Sequence, residues 1–367
     1  WKEFPSLVAD YTVVQLTSDK AEDVRLYFYN DGYIPAANSV VFSSTRTGRD
    51  NLFLVNLGDG HITQVTDGRR VQGGSAVVSV HKNEVYYFDL GALCATNLST
   101  FIPRKLGYVM PAGYQTSSSL TITEDGEWLG MGIVESTNSG KKYPTDFDRM
   151  KAKMDSRPWS EILLVRTSGG QVRKVHREKQ WISHVMVHPQ NPNLVSYCHE
   201  GPWDKVDNRI GGLNLQTRET WKIRPTAPGE MVGHEYWMDD GEHIGYHGRI
   251  ANGTIYGSIR YDNTDQVEAP FEFYSWHFHS FRLDWVVGDG DAQNPYLLLW
   301  RMKNGKFEGP KALVWHRGSF HTQRQHVHPC FSADGKQIVF TADPQGYWQV
   351  FIVDIPESDT LPNRDSI

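Results

Sequence analysis

The chain repeats itself, and the repeat limits what it can fold into. Val40-Val-Phe-Ser-Ser-Thr-Arg-Thr-Gly-Arg-Asp-Asn-Leu-Phe-Leu-Val-Asn-Leu57 and Ile338-Val-Phe-Thr-Ala-Asp-Pro-Gln-Gly-Tyr-Trp-Gln-Val-Phe-Ile-Val-Asp-Ile355 share one plan. Each is a strand, a turn with Gly at the same offset, and a second strand. Short β-branched and aromatic runs bounded by Gly, Asp and Asn fit strands and fit helix poorly. Weaker copies fill the middle. Thr121–Glu135 leads to Ile162–Val165 and Val172–Val175, and Ser183–His199 leads to Gly211–Leu215 and Thr220–Ile223. His234–His247 leads to Thr254–Tyr261, and His277–Gly288 leads to Tyr296–Met302 and Ala312–His316. With Val77–Leu106 these make seven units. Seven four-stranded units spaced by ~35–60 residues predict an all-β, seven-bladed β-propeller. The competing fold is a pair of β-sandwiches.

Closure of the ring has its own signal. Thr12-Val-Val-Gln-Leu-Thr17 resembles Ile62-Thr-Gln-Val-Thr66, the outer strand of the first full unit, while the last unit ends near Ile355 with little chain left. The N-terminal strand is therefore expected to complete the last blade and protect a sheet edge. The whole chain, 1–367, reads as one propeller domain. One segment breaks the pattern. Lys142–Trp159 carries Phe147, Met150 and Met154 at helical spacing and predicts a short inserted helix.

Composition narrows the partners. The net charge is −6 and the Lys and Arg residues are scattered, which excludes an electrostatic nucleic-acid or membrane-surface footprint. No apolar run approaches the ~18 residues of a membrane helix. Three widely spaced cysteines, Cys94, Cys198 and Cys330, form neither a zinc-finger pattern nor a disulfide framework. The opening at Trp1 fits a processed or trimmed form and leaves bacterial cytoplasm and periplasm both open. A monomer or weak dimer is expected.

Histidine concentrates where blades begin. The expected entrances are Cys198-His-Glu-Gly-Pro-Trp203, Gly233-His-Glu-Tyr-Trp237, Trp276-His-Phe-His-Ser280 and Ser319-Phe-His-Thr-Gln-Arg-Gln-His-Val-His328. Singly, each is more often a hydrogen-bonded structural histidine than a ligand. Their recurrence at blade entrances points to one shared site. In an extended chain, His326 and His328 project from one face, with Gln323 able to add an amide oxygen. His321 and Gln325 belong to the same stretch. Neutral imidazoles with an amide suit Mn²⁺, Fe²⁺, Ni²⁺ or Zn²⁺ better than Ca²⁺, which prefers carboxylates and carbonyls.

Taken together, His326-Val-His328 preceded by Gln323, His277-Phe-His-Ser280 followed by Val287-Gly-Asp-Gly290, Cys198-His-Glu-Gly-Pro202, Asp207-Asn-Arg209 and Gly233-His-Glu-Tyr-Trp237 resemble the oligogalacturonate lyases. Those are seven-bladed propellers that cleave short pectic oligosaccharides by β-elimination with a divalent metal, usually Mn²⁺. The resemblance implies metal ligands His277, Gln323, His326 and His328, a base at His234, a sugar-contacting Arg209 and a substrate-side His199. It also implies an anionic uronate oligosaccharide as substrate. Two departures bear on substrate preference. Val327 stands where the family commonly has proline, and Trp276–His279 is more aromatic than the family pattern. Two other readings stay beside it: a lyase for a different uronate polysaccharide, and a non-catalytic TolB-like propeller that binds or scaffolds.

The chemistry suits these residues. Removing the C5 proton of a uronate builds negative charge beside a carboxylate, which a cation and a bidentate arginine would both offset. A histidine with an ordinary pKa of about 6.5 is a competent base near neutrality. Gly288-Asp-Gly-Asp291 lacks the remainder of a calcium loop and reads as a turn at a strand end.

Overall fold

The structure, a computed structural model, describes residues 2–6, 8, 12–137, 140–271, 275–282, 284–320, 326–332, 334–356 and 360–367. Its strands form seven antiparallel sheets, and the fold is the seven-bladed β-propeller that the repeats predict. The chain divides into two compact units, Trp1–Val78 with Glu268–Ile367, and Ser79–Val267.

In the first unit, the first sheet runs Asp23–Arg25, Ser39–Ser44, Asn51–Asn56, Ile62–Gln64. The sixth runs Phe278–Phe281, Trp285–Gly288, Tyr296–Lys303, Lys306–Trp315. The seventh runs Cys330–Phe331, Gln337–Ala342, Gln349–Asp354, and then returns to the chain start. Thr12–Gln15 pairs with its outer edge, Val13 opposite Val353 and Gln15 opposite Phe351, so the N-terminal strand completes the blade as expected. A further strand, Lys2–Pro5, pairs on Thr12–Gln15 and was not legible in the repeat. The two clear copies turn alike. Gly48 and Gly346 have φ 85° and 81°, and each amide donates to the carbonyl three residues back, at 2.8 and 2.9 Å. That left-handed backbone is available to glycine without a Cβ penalty.

The other four sheets lie largely in the second unit. Their first strands in chain order are Val77–Ser79, of which only Ser79 belongs to that unit, Tyr114–Thr116, Ile182–Val187 and Met231–Trp237. Burial explains the sequence pattern. Ile182–Val187 is buried at every position and reads as an unbroken run, whereas the outer strand Pro103–Val109 alternates towards its end. The apolar faces pack as layers between sheets: Ile162, Leu164 and Val175 with Ile182, Val185, Val187 and Leu213. The inserted helix, α1, spans Asp146–Asp155, shorter than the expected 142–159. Thr145 caps it by accepting from the Asp148 amide, and Asp146 and Asp148 lie in its first turn, where the helix dipole favours acids. Lys153 Nζ sits 4.2 Å from the centroid of the Trp181 ring, anchoring the helix to the body of the unit. Among the described residues no helix is long and apolar enough to cross a membrane.

Candidate functional site

The first unit gathers His277, His326 and His328, whose ligand atoms all lie within 4.8 Å of one another. His277 precedes the strand Phe278–Phe281, and the other two precede Cys330–Phe331, so each sits just outside the first strand of a blade. His277 is held from behind. Its Nδ1 lies 2.9 Å from Asp289 Oδ2, and its backbone N–H donates to Oδ1 at 2.8 Å. With Nδ1–H given to the carboxylate, Nε2 is the nitrogen whose lone pair faces a cation; carboxylate-oriented histidine is a recurrent metal ligand. Asp289 is fixed in turn, because His316 Nε2 donates to its carbonyl at 3.0 Å while His316 Nδ1 accepts from Gly318 at 2.9 Å.

The electrostatics favour ligation. Burial lowers the pKa of His326, and burial with the neighbouring His277, His326 and Arg25 drives His328 well below the ordinary imidazole value. Both rings are therefore neutral donors of a lone pair, the state a metal requires. Burial pushes the Asp289 carboxyl up to about 7, against the hydrogen bond it accepts from the His277 amide. Among the described residues, the Nδ1 of His326 and the Nε2 of His328 are buried without a hydrogen-bond partner. A buried polar atom left that way costs about 1–3 kcal/mol, and a divalent cation would satisfy both. The donor set thus fits the metal that the resemblance implies.

The backbone differs from the extended strand expected for His326–His328. No strand is formed there, and His328 has φ 47°. Two anchors force the turn: Val327 is fully buried in the core, and Arg25 Nη1 donates to the His328 carbonyl at 2.7 Å. The rings converge through a left-handed residue instead of by strand alternation. Tyr27 meets His328 edge-on with ring centroids at 5.3 Å, and Trp276 lies 5.7 Å from His326. Gln323, with His321 and Gln325, lies outside the described residues. Asp289 stands in the Val287-Gly-Asp-Gly290 stretch that follows the His277 element in the sequence, which assigns it no role beyond a turn; its distance from His277 along the chain hid the contact.

The second unit holds His234 and Arg209. His234 lies in a bulge of Met231–Trp237, where the register shifts between Gly233 and Tyr236, with φ 50°. The preceding sheet repeats this. Ile182–Val187 shifts register between Ser183 and Met186, and His184 has φ 44°. The two imidazoles stack with centroids at 6.1 Å and planes 11° apart. His184 escaped the sequence reading. The signal was present in Ile182-Ser-His184 against Val232-Gly-His234, once the two units are slid by one residue.

Beside them lies a buried charge network. Arg209 Nη1 and Nη2 donate to Glu200 Oε1 and Oε2 at 2.8 and 3.2 Å, and its Nε stands 3.9 Å from Glu235 Oε2. His184 Nδ1 is 3.3 Å from Glu235 Oε1. Arg209 is 4% exposed and Glu235 0%. Burial opposes ionisation of Glu235, but His184 and Arg209 outweigh it and hold the carboxyl at about 2; Arg209 likewise keeps Glu200 below its ordinary value. Trp203 caps the guanidinium at 4.9 Å and meets His234 edge-on at 4.9 Å. A buried charge stripped of its partner costs about 3–5 kcal/mol. Glu200→Ala is therefore expected to destabilise the fold by about 3 kcal/mol, the lower figure because Glu235 remains near Arg209. Denaturant titration checks this; a midpoint unchanged from the parent contradicts it. Since both carboxylates are depressed, their contribution is complete above the ordinary value of about 4.3. It is lost as pH falls towards about 2, the value for Glu235.

His199 is placed differently from expectation. It ends the second strand of its sheet, Leu194–His199, not the entrance to the first. Its Nε2 lies 2.8 Å from Glu178 and its Nδ1 3.6 Å from Asp207. Burial opposes the Glu178 carboxylate, but hydrogen bonds from His176 and His199 hold it at about 2. His199 lines a cavity of about 580 Å³ with Met154 of α1, Arg157, Lys179 and Lys205. His279, which the sequence placed beside His277, sits instead with its Nε2 3.5 Å from Cys330 Sγ, and burial lowers its pKa to about 3.

Known proteins share this plan. A family model described as oligogalacturonate lyase matches residues 2–261. An oligogalacturonide lyase of Pectobacterium atrosepticum is 26% identical over 372 residues, covering 94% of each chain. An oligogalacturonate lyase of Dickeya dadantii is 25% identical over 368 residues with the same coverage. Among solved structures, an oligogalacturonate lyase in complex with manganese superposes with a TM-score of 0.87 at 25% identity, covering 97% of this chain and 96% of its own.

Proposed function

The chain belongs to the oligogalacturonate lyase family, and from that membership we propose which of its residues carry out the cleavage of pectic oligosaccharides. It is a polysaccharide lyase that acts on oligogalacturonate. The observation that carries the metal assignment is the convergence of His277, His326 and His328 on one point, with Asp289 orienting the first. These three imidazoles would hold a divalent cation, manganese as in the related solved structure, and Gln323 is proposed as a fourth ligand. When bound, such a cation offsets the negative charge that builds on a uronate carboxylate as its C5 proton leaves.

The remaining roles fall to the second unit. His234 is proposed as the base that takes the C5 proton; the electron pair left behind forms the C4–C5 double bond and expels the C4 oxygen. Arg209 has five N–H donors, of which two go to Glu200. With Nε turned to Glu235, the second N–H of Nη1 and of Nη2 are proposed to contact the reacting sugar. His199, in a cavity lined by Arg157, Lys179 and Lys205 together with Asp155, Glu178 and Asp207, is proposed to bind the substrate. Turnover of oligogalacturonate should generate ultraviolet absorbance from a 4,5-unsaturated end, and no solvent oxygen should enter either product. Products that carry oxygen from isotopically labelled water would mark hydrolysis and overturn the elimination.

A further inference from the structure

If His234 is the base, one of its ring nitrogens must be bare, and its neighbour His247 bears on which. His234 Nδ1 lies 3.0 Å from Nε2 of His247. His247 is 2% exposed on the neighbouring strand His243–Ile250, where its Cα pairs with that of Gly233. The bulge that gives His234 its φ of 50° is what lets its ring meet a residue paired with its predecessor. Two imidazole nitrogens at that distance share a single proton, so one donates and the other is bare. An imidazole lacking such a partner divides its proton between its two nitrogens, and only one of the two forms can accept at Nε2.

We infer that His247 is a positioning residue for the base: its bare Nε2 accepts from His234 Nδ1–H, which leaves the His234 Nε2 lone pair for the substrate. The inference rests on the reading of His234 as the base. As the C5 proton moves to Nε2, the proton on Nδ1 stays in place, and the same hydrogen bond becomes charge-assisted and stronger. Other groups face His234 as well. His184 stacks on it at 6.1 Å and Trp203 meets it edge-on at 4.9 Å. Glu235, its neighbour in the chain, is turned to His184 and Arg209, and Arg209 is bound to Glu200. A second proton on His247 would set two cations 3.0 Å apart, so the positive charge formed in the reaction belongs to His234.

Two variants and one spectrum test this. His247→Leu is expected to lower kcat by about 10- to 100-fold, the range seen when the partner orienting an imidazole is lost, with KM and metal content near those of the parent. His247→Gln, whose amide oxygen also accepts, should recover most of that loss. Heteronuclear NMR of the imidazole nitrogens in the parent protein should find neutral His234 protonated on Nδ1, a readout that stands even if His247→Leu fails to fold. Unchanged kcat in folded His247→Leu, no recovery in His247→Gln, or a His234 proton on Nε2 overturns the inference. The underlying reading fails separately: if His234→Ala keeps its activity, His234 is not the base at all.

Discussion

His326→Ala is expected to empty the metal site and abolish turnover together. The three histidines approach to within 4.8 Å of one another, so each supplies a large share of the ligand field. Removing one leaves two imidazoles and whatever Gln323 contributes. Loss of an outer-shell partner alone typically costs about 10–100-fold in metal affinity, and loss of a direct ligand should exceed that. The fold should survive, because His326 is only half-buried and precedes the strand instead of lying in it. Elemental analysis per chain, alongside the absorbance assay, checks the pair of effects. A variant that keeps its metal would remove His326 from the ligand set.

His234→Ala should separate the two functions. A positioned general base contributes roughly 10²- to 10⁴-fold in rate, so kcat should fall by that factor while metal content stays that of the parent. Substrate should still bind, since the proposed Arg209 and His199 contacts are intact. If His234→Ala loses metal and His326→Ala retains it, the two roles are exchanged. Activity above a tenth of the parent's in a folded His234→Ala would leave the base elsewhere.

Much of the fold was legible because blades repeat. The eight-residue offset that places Gly48 and Gly346 in equivalent left-handed turns is written in the sequence, and the Thr12–Gln15 closure followed from a chain that ran out of strand. The strand Lys2–Pro5 was hidden because, among the described residues, it has no counterpart in any other sheet. The site was legible by residue type and less so by geometry. His277, His326 and His328 do meet, but through the φ of 47° at His328, which alternation along a strand does not anticipate. Bulges likewise hid His184, whose equivalence to His234 is one of backbone conformation. Asp289 was concealed by tertiary pairing, twelve residues from the histidine it orients. Glu200 and Glu235 stood in plain view within the histidine motifs, yet only burial reveals that they hold Arg209. Sequence patterns report which face a residue takes; they do not report which charge it must neutralise.

The most direct test of a metal-dependent elimination is the absorbance assay on oligogalacturonate, run on the chelated protein before and after Mn²⁺ is restored. Chelation should silence the formation of unsaturated product, and Mn²⁺ should return it to the parent rate. Full activity in protein shown by elemental analysis to be free of metal would contradict the account.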